Sequence, residues 1–206
     1  MKNFLTIEGC EGVGKTYHTR RLKQYCIDNR LNVLFTREPG GSEVAEKIRN
    51  IILDPANKDM TDLCEAFLYA SSRAQHLQEI VIPALKQGKT VFCDRFVDSS
   101  YAYQGVARGL GLERVRRINE LAVGEYMPQY TLFLDLEPSK AFARKGGAAK
   151  DDRLELLDLD FHKKVYEGYK QIAESEPQRI ITIDASGSKD ETFARIIAAL
   201  KERNVF

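Results

Sequence analysis

Residues Gly9 to Thr16 read Gly-Cys-Glu-Gly-Val-Gly-Lys-Thr, and no other stretch narrows the possible folds as far. They fit the pattern G-x-x-x-x-G-K-[ST], a loop that wraps phosphate groups. Gly9, Gly12 and Gly14 lack a Cβ, so the backbone can curl and turn its N–H groups, those of Cys10 and Val13 included, toward an anion. Lys15 supplies a point charge, the Thr16 hydroxyl suits Mg²⁺, and the helix that follows adds the partial positive charge of its N-terminus. The flanks agree. Phe4-Leu5-Thr6-Ile7 suits a buried parallel strand, and Leu22, Tyr25 and Cys26 recur at helical spacing.

Strand and helix patterns then alternate to the end of the chain. Asn32-Val33-Leu34-Phe35, Thr90-Val91-Phe92-Cys93, Tyr130-Thr131-Leu132-Phe133-Leu134 and Arg179-Ile180-Ile181-Thr182-Ile183 each read as a short buried strand. Ser42 would cap a helix bearing Val44, Ile48, Ile51 and Ile52. A longer helical region runs over roughly 61–86 with Pro83 as a kink, another around Leu112 to Val123, and a last one near Glu191 to Glu202. Strands separated by helices imply parallel pairing through right-handed crossovers. The expectation is an α/β fold of three layers, α/β/α, around a five-stranded parallel sheet, in one domain spanning 1–206.

Residues Lys145 to Arg153 break the alternation. Gly146-Gly147-Ala148-Ala149 sits among Arg144, Lys145, Lys150, Asp151, Asp152 and Arg153. Such a stretch is a solvated connection or, beside a phosphate site, a short lid over about 144–153.

The chain has 31 basic and 30 acidic side chains, a net charge of +1, which argues against a broad nucleic-acid footprint. The four cysteines (Cys10, Cys26, Cys64, Cys93) show no metal-ligand spacing and read as free thiols of a reducing compartment. His18, His76 and His162 are equally scattered. No run approaches the ~18 apolar residues that span a bilayer. The expectation is a cytoplasmic protein with neither membrane nor nucleic acid as a partner.

In an open α/β sheet, ligands bind outside the carboxyl ends of the strands. Those ends here supply the glycine loop, the stretch from Arg37 to Ser42, Asp94-Arg95, and the connection after Leu136. Phosphoryl transfer needs two phosphates held in line and their developing charge neutralised, and Lys15, Thr16, Arg95 and a lid arginine suffice for that. Asp94 could organise Mg²⁺ and its waters, or serve as a structural cap. Glu11 is unusual, since a carboxylate inside the loop repels phosphates unless it meets a donor or points to solvent.

Arg37-Glu38-Pro39-Gly40-Gly41, Asp94-Arg95-Phe96 and Ser99-Ser100-Tyr101-Ala102-Tyr103-Gln104-Gly105 follow the loop in order. With this ordered set the chain resembles the bacterial thymidylate kinase family over nearly its whole length. The resemblance implies a P-loop NTPase fold, a homodimer, and transfer of the ATP γ-phosphoryl group to dTMP with Mg²⁺, giving dTDP and ADP. It implies that Gly9 to Thr16 hold the ATP phosphates and that Glu11 approaches the sugar of dTMP. Arg37 and Glu38 resemble the acceptor loop, and Arg49 and Arg95 match arginines near the dTMP phosphate. Arg73 and Gln104 match contacts to the thymine edge, with Ser100 close by. Tyr103 stands where the family crowds the 2′ side of the sugar, so that a hydroxyl has no room. Tyr69 replaces a phenylalanine often stacked on thymine, and Ser42 a common threonine. The glycine loop has no arginine, so the resemblance assigns the catalytic cation to the lid. Arg153 is the best match there, with Arg144 and Lys150 as alternatives, and the loop from Asp184 to Ser188 would pass near adenine. Two rival readings are a kinase for another nucleoside monophosphate and a guanine-nucleotide switch. The switch would rest on Asp184-Ala185-Ser186-Gly187 and Asn57-Lys58-Asp59, which stand in the wrong order for one.

Overall fold

The apolar segments take their places as strands in the structure, a computed structural model that describes residues 3–145, 152–154 and 156–206. The centre of the expected lid, Lys150 included, lies outside the described residues. The strands are β1 (Phe4–Glu8), β2 (Val33–Arg37), β3 (Thr90–Asp94), β4 (Tyr130–Asp135) and β5 (Ile180–Asp184). All pair in parallel in the order β2-β3-β1-β4-β5. Every residue of β1 is buried, as a central strand covered on both faces requires, whereas the edge strand β2 is half-buried and ends on exposed Arg37.

From β1 the chain steps outward to β2, returns to β3, then crosses β1 to reach β4 and β5. With right-handed crossovers, that reversal of direction places helices on both faces of the sheet. It also opens a crevice at the carboxyl ends of β1 and β3, where ligands of such sheets bind. The glycine loop leaves β1 there, and Asp94 and Arg95 leave β3 beside it, with Ile7 in register with Asp94.

The helices are α1 (Lys15–Asp28), α2 (Glu43–Leu53), α3 (Asp62–His76), α4 (Ile82–Lys86), α5 (Val97–Ser100), α6 (Leu112–Val123), α7 (Pro138–Lys145), α8 (Leu159–Ser175) and α9 (Lys189–Glu202). The long region expected over 61–86 is α3 and α4 joined through a wider π-helical turn at Leu77–Val81, with Pro83 in the first turn of α4. A second π-helical stretch, Tyr101–Ala107, continues α5. Ser42 holds the N-cap position of α2, as expected, but its hydroxyl makes no cap bond. The Glu46 carboxylate accepts from the Gly41 N–H (2.7 Å) instead. Sequence reading passed over α7 and α8. Cys10, Cys26 and Cys93 are buried and Cys64 is exposed, all as free thiols. Among the described residues no three His, Cys, Asp or Glu side chains gather as a metal site, and no helix is long and apolar enough to cross a membrane.

Candidate active site

The reversal point of the sheet opens into a cleft of about 980 Å³. One wall is the glycine loop. Gly12 takes a φ of +78°, and a Cβ there would lie 2.8 Å from the Ala141 carbonyl oxygen of α7, so only glycine fits between loop and helix. Lys15 is buried and donates to the carbonyls of Gly9 and Cys10 (2.8 Å each), which ties its ammonium to the curl of the loop. Burial, then the nearby Arg95, lower its pKa, a tension that an anion beside it would relieve. Glu11, Gly12, Val13, Gly14 and Thr16 line the cleft with Lys15, whereas Gly9 and Cys10 lie behind it.

Arg95 crosses the floor. It has φ +66°, a left-handed conformation that costs a non-glycine residue about 1–2 kcal/mol. Its guanidinium donates to the Gly9 carbonyl (3.2 Å) and pairs with Glu11. Glu11 therefore has the donor that a carboxylate in this loop needs. Asp94 lines the cleft with one buried carboxylate oxygen, Oδ1, lacking a hydrogen-bond partner.

The opposite wall is a buried polar network. Glu38 accepts from Arg73 Nε (2.9 Å) through one oxygen and meets His76 Nδ1 (2.9 Å) through the other, while His76 Nε2 meets the Thr36 hydroxyl (2.7 Å). Arg73 Nη1 donates to Ser100 (3.1 Å) and to Asn119 Oδ1. Arg73 and Glu38 both line the cleft, so the guanidinium is oriented from three sides before any ligand is considered. Ser100 reaches the cleft only through Arg73. Tyr69, Tyr103 and Gln104 line the same wall. The Tyr103 ring sits 5.3 Å from the Arg95 guanidinium carbon, and its buried hydroxyl has no partner. Gln104 donates to Glu65 (2.8 Å).

Arg37 and Arg49 stand at the mouth, each donating to the Pro39 carbonyl (2.9 Å). Burial, then Arg37 beside it, lower the pKa of Arg49. Arg144 caps the other end by donating to the carbonyls of Ala185 (2.7 Å), Ser186 (2.6 Å) and Gly187 (3.2 Å), next to Ser188, Lys189 and His18. Asp184 accepts from the Ser186 N–H (2.9 Å) and pairs with Arg195 (2.9 Å), so it is engaged in shaping its own loop. Arg153 is another sequence-predicted residue that does not line the cleft, as Gly9, Cys10 and Ser100 do not. It is buried, donates to the Ile52 carbonyl (2.9 Å) and pairs with Glu65. Glu65 is a buried carboxylate and draws cations to itself, Arg108 (3.0 Å) as well.

Sequence reasoning missed His76, Asn119, Ser99, Glu8 and Tyr169 as parts of this site. Ser99 stood inside a quoted motif, and Glu8 was noted only as the end of an apolar run. The other three gave no local signal, because their partners lie far off in the chain.

The geometry is matched by the comparisons with known proteins. The family model described as thymidylate kinase covers residues 7–196. The thymidylate kinase of Finegoldia magna is 50% identical over 202 residues, 98% of this chain and 99% of that protein. That of Clostridium novyi is 48% identical over 200 residues, 96% of this chain and 98% of the other. A crystal structure of thymidylate kinase from Ehrlichia chaffeensis superposes with a TM-score of 0.77 at 29% identity, covering 96% of this chain and 97% of that one. A matched family model over most of the length, relatives near half identity, and a P-loop crevice with a buried arginine network opposite it agree: the chain belongs to the thymidylate kinase family.

Proposed function

We propose that this chain transfers the γ-phosphoryl group of ATP to dTMP, giving dTDP and ADP, as a cytoplasmic homodimer. One observation carries the reading: a glycine loop for one phosphate chain and a pre-oriented arginine for a planar base face each other across a single cleft. ATP would lie with its phosphates on Gly9 to Thr16 and its base against Arg144 and the stretch from Gly187 to Lys189. The acceptor would place its base against Tyr69, Arg73 and Gln104, its sugar beside Tyr103, and its phosphate within reach of Arg95, Arg49 and Arg37.

In this reading Lys15 and Arg95 hold donor and acceptor phosphates in line and neutralise the charge that spreads over the transferred group. Glu11 aims the Arg95 guanidinium. Tyr103 excludes a 2′-hydroxyl. Mg²⁺ fits the residues present, because the Thr16 hydroxyl and the unpartnered Asp94 oxygen line the same stretch of cleft, and without a third acidic ligand it would share its coordination with phosphates and water. A bound Mg²⁺ held by Thr16 and Asp94 would supply positive charge against the phosphates there. Of the lid cations named above, Arg144 lines the cleft, whereas Arg153 is engaged with Glu65 away from it.

Coupled assays of ADP release across dTMP, dUMP, AMP and GMP test the reading. We expect dTMP to give the highest kcat/KM, and a preference for a purine acceptor would overturn it. Lys15→Ala should lower kcat by about 1,000-fold, the scale of losing one preorganised charge at the transferring group, with the melting temperature retained.

A further inference from the structure

Glu8 is the last residue of β1, one position before the glycine loop, and is fully buried. A lone carboxylate there would be costly, yet four donors meet it. Oε1 accepts from the N–H groups of Phe96 (2.7 Å) and Ser99 (3.3 Å). Oε2 accepts from the hydroxyls of Ser99 (2.7 Å) and Tyr169 (2.7 Å). With both hydroxyl protons directed to Glu8, the lone pairs of the Ser99 and Tyr169 oxygens, themselves 2.9 Å apart, remain to accept from a donor. Arg95 Nη1 donates to each of them at 3.3 Å. Tyr169 is seated for this task from α8, stacked on Phe133 with centroids 5.2 Å apart and edge-on to Tyr103.

We propose that Glu8, Ser99 and Tyr169 are positioning residues that aim the Arg95 guanidinium at the phosphate of the acceptor nucleotide, by polarising two hydroxyls toward it. The proposal rests on the kinase reading for the identity of that acceptor. Glu11 constrains only Nη2, whereas Nη1 has the Gly9 carbonyl (3.2 Å) and these two hydroxyls as its partners.

The arrangement depends on the charge of Glu8. Protonated, one of its oxygens must donate, and the hydroxyl that accepts from it turns its own proton either to the neighbouring hydroxyl (2.9 Å), which occupies a lone pair that Arg95 used, or toward Arg95, where two donors repel. Burial, then Asp98, push the Glu8 carboxyl up to about 7, against Arg95, Ser99 and Tyr169, which favour the ionised form. Around it, burial drives Tyr169 and Cys93 well above their ordinary values, and Asp98 is paired with Arg179 (2.6 Å).

The test is steady-state kinetics of wild type, Tyr169→Phe, Ser99→Ala and Glu8→Gln, varying dTMP and ATP separately from pH 6 to 9, with melting temperatures. Tyr169→Phe keeps the ring on Phe133 and removes only the hydroxyl. It should lower kcat/KM for dTMP about tenfold, the scale of one hydrogen bond to a charged group, and change KM for ATP less than twofold. In wild type, kcat/KM for dTMP should rise with pH through a limb near 7 that flattens in Glu8→Gln. The substrate phosphate itself titrates near ~6, so the readout is the difference between the two profiles. An unchanged kcat/KM for dTMP in Tyr169→Phe, or losses shared equally by both substrates and tracking the melting temperature, would overturn the proposal. Should Glu8→Gln not fold, Tyr169→Phe and Ser99→Ala decide it. Wild-type inactivity on dTMP would sink the kinase reading alone, and the same variant-to-wild-type ratios would then be read on whichever monophosphate is turned over.

Discussion

Glu65 is a carboxylate almost wholly removed from water, and three side chains keep it there: Gln104, Arg108 and Arg153. Burial works against its charge, but its partners together, Arg108 first among them, outweigh that, and the pKa is lowered. Arg153 therefore has a structural duty that its place in a charged surface segment hides. Arg153→Ala should destabilise the fold by about 1–3 kcal/mol, because a buried carboxylate loses one charged partner but keeps Arg108 and the Gln104 amide. Urea denaturation of the variant measures it, and a fall in kcat with an unchanged midpoint would instead put Arg153 at the transferred group. At this scale the sequence was legible wherever the chemistry is local. The glycine loop carries its function in eight consecutive positions. Arg153 and Glu65 are 88 residues apart, and nothing near either one announces the pair. The need of Glu11 for a donor was readable, while the answer, Arg95, came from the β1–β3 register.

Secondary elements set the site through two close approaches. Gly12 lets α7 reach the loop, and Gly168 lets α8 reach the π-helical stretch that bears Tyr103 and Gln104. A Cβ on Gly168 would lie 3.0 Å from Ala102 Cα and 3.1 Å from Val106 Cβ, both too tight to absorb without a shift. Gly168→Ala should push α8 away, cost about 1–3 kcal/mol as overpacking does, and disturb Tyr169 and Tyr103 together. Melting curves with KM for dTMP check it, and wild-type values for both would show that the two elements have slack. The π-helical stretch has its own signature in the Arg108 N–H bonded to the Tyr103 carbonyl (2.9 Å), five residues back. Strand patterns were plain in the sequence because each is a short apolar run. Helix α8 was not, although Phe161, Val165, Tyr169 and Ile172 repeat at helical spacing. Its charged outer face and the glycine in its middle masked the stripe.

For the molecule as a whole, the remaining question is what covers the outer faces of α2 and α3. Val44 and Ile51 recur on one face of α2, and Leu63 and Phe67 on one face of α3, each at least 43% exposed. Scattered exposed apolar residues are ordinary, but these four lie on two helices packed together. The inner face of α3 carries Tyr69, Arg73 and His76, so whatever seats against its outer face also braces the wall for the acceptor base. A second copy meeting this surface about a twofold axis would place every substitution in the interface twice. Phe67→Asp should therefore weaken self-association by at least ~100-fold, since each copy would bury an unpaired carboxylate. Sedimentation velocity at micromolar concentration should give a dimer for wild type and a monomer for the variant. If α3 is braced by the partner, the monomer should also show a raised KM for dTMP with KM for ATP little changed, because the glycine loop and α9 stand on other elements. A wild-type monomer, or a Phe67→Asp dimer as tight as wild type, would remove this surface as the contact and leave α3 held by its neighbours within the chain.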